Sequence, residues 1–157
     1  MTVVNEYLKV VQERFRSVKE LGDKTIQQLS EDDIHWALNH SSNNIAIIVK
    51  HLSGNMISRS TEFLTSDGEK TYRKLDQESA NTISYEEDLL KNIYIRGEIH
   101  TVIDAIERQM AHYSYHIGQI VYVGKQIKNE ELESLSIPKG KSEEYLRHML
   151  KNNRKLT

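Results

Sequence analysis

The sequence predicts an all-α protein, an up-and-down four-helix bundle in a single domain over residues 1–157. Three observations carry that expectation. Apolar residues recur at three- and four-residue steps over long stretches, which is the period of an amphipathic helix. One proline and seven glycines in 157 residues leave long segments without a breaker. The length suits one domain with a real core.

The first helix is expected over about 4–29. Val4, Leu8, Val11, Phe15, Val18, Ile26 and Leu29 mark its inner face, with Lys, Arg, Glu and Gln between them. "SEDDIHWALNHSS" follows as a polar link with one aromatic anchor, Trp36. Ser41 or Ser42 is the expected N-cap of the second helix, about 43–65, whose inner face carries Ile45, Ile48, Leu52, Met56 and Phe63. Asp67-Gly68 breaks it. The last long helix is expected over about 100–128. Ile103, Ile106, Met110, Ile117, Ile120 or Val121, Gly124 and Ile127 form its seam, and Gly124 permits a close helix approach. "IYIRGE" before it is β-branched and short, and reads as an extended link. The tail, 129–157, turns around Pro138 and ends in a short helix and a frayed terminus.

Between 66 and 99 the pattern is thin. "SYEEDLLKNIY", at about 84–94, supports a helix of only about 16 Å where a bundle needs a long one. A weak internal repeat sharpens the point: "LSEDDIHWAL" and "ISYEEDLLKNI" each set an acidic cluster ahead of a long helix. The repeat places His51 opposite His112 and Asn55 opposite His116, and leaves the third helix shortened or missing. A second copy of the chain, as a homodimer, is the expected cover for the apolar groove this leaves.

A net charge of −2 with mixed signs gives no electrostatic case for a nucleic-acid or anionic-membrane partner. The absence of cysteine removes disulfides, thiolate nucleophiles and cysteine metal sites, and fits a cytoplasmic protein. The charged N-terminal stretch is neither a signal peptide nor a membrane span. No glycine-rich phosphate loop with Walker spacing is present.

The chemistry lies in "HYSYHIGQI". His112 and His116 share a helix face, about 5–6 Å apart at Cβ, close enough to converge on one ion. Spacing alone is weak, since seven histidines in this length produce such a pair often by chance. His51, in the apolar register of the second helix, supplies a third imidazole if the two helices pack side by side. Three neutral imidazoles with an open position make a catalytic type of metal site rather than a closed structural one. The alternative is that all three only pack, and spacing and register leave both readings standing. Asn55 and Gln119, one turn from these histidines, are candidates to line a substrate pocket or to orient a ligand. His35, His40, His100 and His148 read as surface or cap residues, and Tyr113, Tyr115 and Tyr122 as packing aromatics. Ser114 points off the histidine face, and Asp104 and Glu107 read as solvent-facing, so no nucleophile or general base stands out.

"NNIAIIVKHLSGNM", "IRGEIHTVIDAIERQMAHYSYHIGQIVYV" and "SIPKGKSEEY" together resemble the DinB-like superfamily of bacterial proteins, most closely a branch known only as a domain of unknown function and frequent in bacilli. The resemblance runs from Leu29 to Tyr145. It implies a four-helix bundle in which His51, His112 and His116 bind a divalent metal; from the chemistry of three imidazoles, zinc, nickel or iron is the expected ion. It also implies transfer of a low-molecular-weight thiol, such as bacillithiol, to small electrophiles, or related isomerisation or hydrolysis. The chain departs from the superfamily's pattern in the short third-helix region. The rival expectation is a non-catalytic helical interaction module with a structural or vestigial metal site.

Overall fold

The computed structural model describes residues 2–60, 83, 85–129 and 132–153. The described residues form six helices and one two-stranded sheet: α1 (Val3–Ile26), α2 (Glu31–His35), α3 (Ile45–Ser60), α4 (Glu86–Leu90), β1 (Asn92–Ile95), β2 (Glu98–Thr101), α5 (Val102–Lys128) and α6 (Ser142–Asn153). No helix among them is long and apolar enough to cross a membrane.

Side-chain caps set where the three long helices begin. Thr2 accepts the backbone N–H of Asn5 at 3.2 Å, and Thr101 that of Asp104 at 3.3 Å. Asn44, not Ser41 or Ser42, caps α3: its side-chain oxygen accepts the N–H of Ile47 at 2.9 Å. The two serines are engaged elsewhere. Both Ser41 N–H and the Ser42 hydroxyl donate to the side-chain oxygen of Asn39, at 3.0 Å each. They belong to an Asx turn that competes with a cap.

The acidic repeat has a structural counterpart. Each copy folds into a five-residue helix, α2 or α4, held by an aspartate that reaches back to the residue before it. The backbone N–H of Ser30 donates to Asp33 at 2.8 Å, and that of Tyr85 to Asp88 at 2.9 Å. The link after α1 is therefore partly helical, and the helix expected over 84–94 stops at Leu90. Asp33 also pairs with Lys128 at 2.9 Å, tying α2 to the end of α5. That ammonium, with the Ser30 hydrogen bonds, lowers the Asp33 pKa to about 2.

"IYIRGE" is extended as expected, but its strands pair into a hairpin. Ile93 faces His100 and Ile95 faces Glu98 across an antiparallel ladder. The turn is Arg96-Gly97, both with positive φ, 54° and 79°. That is the signature of a type I′ connection, whose twist matches the strands it joins. Ile93 and Ile95 point inward and are buried.

Contacts along α1 and α5 rise together. Val4 clusters with Val102 and Ala105, Tyr7 donates to Glu107, Phe15 meets Tyr113 edge-on, and Gly22 faces Ile117. The two helices are therefore parallel. α3 runs against them: Ile45 and Ile48 pack on Ile120, whereas Asn55, farther along, meets Gln109. A strictly alternating four-helix bundle would set its first and last helices antiparallel, so this pairing departs from the up-and-down expectation. The expected gap in the third helix, over 66–99, includes residues 66–82 and 84, and the second helix was expected to continue through 61–65 with Phe63 on its inner face. Those residues lie outside the described ones, and the described residues do not establish a four-helix bundle.

Gly124 has the close-approach role expected of it. A Cβ there would stand 2.7 Å from Cγ2 of Thr25, whose hydroxyl is already bonded to the Leu21 carbonyl at 2.8 Å. Two apolar clusters result. One joins Val4, Leu89, Ile93, Ile95, Val102 and Ala105, and the other is centred on Ile45, Ile48 and Ile120. The stretch of α5 between them carries His112 and His116.

Candidate metal centre

α3 and α5 bring the three predicted histidines together. Their side chains offer ligand nitrogens that all lie within 4.8 Å of one another. Ring centroids are 5.2 Å apart for His51 and His112, 4.8 Å for His51 and His116, and 4.6 Å for His112 and His116. The antiparallel packing makes this possible, because it sets His51 beside the i, i+4 pair on α5.

The donor set fits a divalent ion. Nε2 of His51 and Nε2 of His112 are 3.1 Å apart. Two nitrogens on one tetrahedral ion, each at about 2.0–2.1 Å, would be about 3.4 Å apart. The widest pair, within 4.8 Å, has to close by up to about 1.4 Å to match that. His116 is already oriented: its Nδ1–H donates to Oε1 of Gln119 at 2.8 Å, which fixes the tautomer and leaves the Nε2 lone pair available as a ligand. Nδ1 of His112 is shielded from solvent and has no hydrogen-bond partner among the described residues, and this ring's polar contact there runs through Nε2. Tyr115 packs edge-on against His116, its centroid 5.0 Å away.

Electrostatics favours the neutral, ligand form of His112. Burial holds His112 below the ordinary histidine range, and His116, His51, Arg108 and Arg96 push it the same way. The consequence for stability has a definite sign. As the pH falls through the unfolded-state value of 6.5, the unfolded chain takes up the His112 proton before the folded chain does, so acid favours unfolding. Thermal melts of the ion-free protein at stepped pH should lose stability below that point. His112→Gln should flatten this part of the profile.

The remaining sequence candidates divide. Gln119 is the hydrogen-bond partner of a ligand histidine and does not line the cavity beside the histidines. Asn55 lines that cavity and accepts the Gln109 amide. The internal repeat had aligned it with His116. Because α3 and α5 are antiparallel, it meets Gln109 instead. His100 is not a plain surface residue: its ring is largely covered, and its Nδ1–H donates to Asp104 at 2.6 Å. Asp104 and Glu107 do face solvent, but each holds a partner, Glu107 taking the Tyr7 hydroxyl at 2.9 Å. Burial and that carboxylate raise the Tyr7 pKa well above the usual phenol range. Tyr113 is half-buried against Phe15, and desolvation raises its pKa as well.

Sequence reasoning missed Arg59, Arg96, Arg108 and Gln109, which border the histidines. Arg108 was the one with a local signal, one helical turn before His112.

The fold and site define a helical protein with a three-histidine cluster able to hold a metal ion. The chain belongs to the family described as "Protein of unknown function (DUF1572)", which matches residues 2–86 and 79–141. No curated protein and no solved structure matches it.

Proposed function

We propose that the protein is a divalent-metal-dependent enzyme in which His51, His112 and His116 hold the ion and the open coordination position takes a small thiol or water. The single observation that carries this reading is the convergence of the three imidazoles from two helices, with the Gln119 bond leaving Nε2 of His116 free. A bound divalent ion would lower the pKa of a thiol or water at the open position and so supply a nucleophile at neutral pH. The protein contributes three imidazoles, that of His112 held neutral by burial, and a His116 ring orientation set by Gln119. Lacking cysteine, it would draw any thiol from solution.

The likeness to the DinB-like superfamily favours transfer of a low-molecular-weight thiol to a small electrophile over hydrolysis, in a cytoplasmic setting. Pairing of two copies belongs to the same reading. It would cover the apolar groove of about 510 Å³ between α1, α3 and α5, or the exposed Leu146 and Leu150 of α6.

Cobalt-substituted protein provides the test. Adding a low-molecular-weight thiol is expected to produce a thiolate-to-cobalt charge-transfer band. The thiol should then be consumed by a chromogenic aryl halide faster than in buffer. A spectrum indifferent to thiol, with no turnover of the halide or of an activated ester, would leave a structural ion and a non-catalytic module.

A further inference from the structure

Two apolar surfaces of the chain match each other in length and in the order of their charges. The first is the groove of about 510 Å³ between α1, α3 and α5. α1 lines it from Phe15 to Ile26, α3 adds Leu52 and Met56, and α5 adds Ile117. The second is one side of α6. Tyr145, Leu146, Met149 and Leu150 share a helix face and are all exposed, Leu146 at 57% and Leu150 at 52%. An amphipathic helix with its apolar side in solvent is the kind of element that lies in an apolar groove.

From Phe15 to Ile26 the α1 wall spans 12 residues, and α6 is a helix of 12 residues, so each is about 18 Å long. Lys19 and Asp23, an ion pair one turn apart, both line the groove. On α6, Glu143 and Arg147 pair at the same interval with the signs in the opposite order. They stand one turn from Leu146 and Leu150, beside the apolar side. With α6 parallel to α1, Glu143 meets Lys19 and Arg147 meets Asp23. Exposed pairs of this kind exchange partners at little cost. The groove does not suit the α6 of its own chain. Leu135, Ile137 and Lys139 lie in a hollow with Leu21, Gly118 and Val121, whereas Gly22, Tyr113 and Ile120 line the groove. The α1–α5 pair separates the two. Only Gly140 and Lys141 stand between Lys139 and α6. Two residues reach about 7 Å, less than the roughly 10 Å thickness of a helix.

We propose that two copies of the chain pair by exchanging α6, each laying Tyr145, Leu146, Met149 and Leu150 into the groove of the other. This deepens the pairing of copies and rests on it, independently of the metal. A twofold axis makes the two contacts equivalent and closes the assembly at two chains. Charge segregation supports the same partner. Residues 138–157 hold six Lys and Arg against two Glu, a net +4, so the rest of a chain of net −2 carries −6. A basic C-terminal helix and an acidic body attract each other between copies.

Size-exclusion chromatography with light scattering tests the exchange on the full chain. Leu146→Glu/Leu150→Glu changes only exposed positions of α6, and Met56→Glu an exposed one in the groove. Wild type is expected at twice the chain mass. Each variant is expected at the mass of one chain, with the helical circular dichroism of wild type. An equal mixture of the two variants should recover dimer, because one intact α6 still meets one intact groove. Lys19→Glu/Asp23→Lys should weaken pairing several-fold, and adding Glu143→Lys/Arg147→Glu should restore it. A dimer that survives Leu146→Glu/Leu150→Glu would overturn the exchange and leave pairing by another surface. A dimer lost in that variant but kept in Met56→Glu, or no recovery in the mixture, would also overturn it, and would give the groove another occupant, a segment of the same chain or a small apolar molecule. A monomeric wild type would remove the exchange and the pairing together.

Discussion

Ile120→Ala is expected to destabilise the protein by about 2–5 kcal/mol, the range for truncating a fully buried branched aliphatic side chain. Ile120 is completely buried, with Ile45 and Ile48 of α3 against it and Leu52, Ile117, Val123 and Ile127 packed around them. Removing three carbons here leaves a cavity at the point where α3 is pressed onto α5. In urea the midpoint should fall with the slope unchanged, because the surface exposed on unfolding is nearly the same. The effect should also reach the site. Ile48 is less than one turn before His51, and Ile120 is one turn after His116. Loosening this contact lets His51 drift from the α5 pair, so metal affinity should fall together with stability. A loss below 1 kcal/mol would mean that α3 is held to α5 by something other than this cluster.

Gln119→Leu is expected to lower metal affinity by about 10- to 100-fold while leaving the helix intact, since partners of this kind typically matter to that degree. Gln119 does not need to touch the ion. It accepts the Nδ1–H of His116 and so keeps Nε2 as the nitrogen with the lone pair for a metal. Leucine keeps the helix propensity and the bulk but cannot accept that proton, and the ring is then free to rotate or change tautomer. Competition with a chromophoric chelator would measure the change. Gln119→Glu should preserve affinity, because a carboxylate accepts the same bond. Equal affinity in Gln119→Leu would show that the orientation of His116 is set by packing against Tyr115.

These residues differ in how plainly the sequence displays them. α1 and α5 were legible because their apolar residues keep the helical period through charged surroundings, and α5 also carries the histidine pair. Register beside Ile48 and Leu52 made His51 a candidate partner for that pair, and the family resemblance pointed to the same three residues. The hairpin was half legible: "IYIRGE" has strand-like residues, but an Arg-Gly turn lacks the Asn-Gly or Asp-Gly signal that normally announces such a pairing. The cap of α3 was misread because serine and asparagine are both good caps, and the Asx turn at Asn39 decided between them by engaging the serines. The arginine-lined cavity was invisible. Positions 59, 96 and 108 belong to three elements, and only the antiparallel approach of α3 to α5 and the curl of the hairpin bring them together. The repeat misplaced Asn55 for a related reason, since alignment along the chain says nothing of helix direction.

The central claim is that His51, His112 and His116 form one metal site. Elemental mass spectrometry of tag-free protein tests it most directly, with wild type compared against His51→Ala and His112→Ala. The account predicts about one divalent ion per chain in the wild type and none in either variant, although the two histidines lie on different helices. Wild-type protein that takes up no ion even after reconstitution, or a variant that retains a full complement, would contradict it.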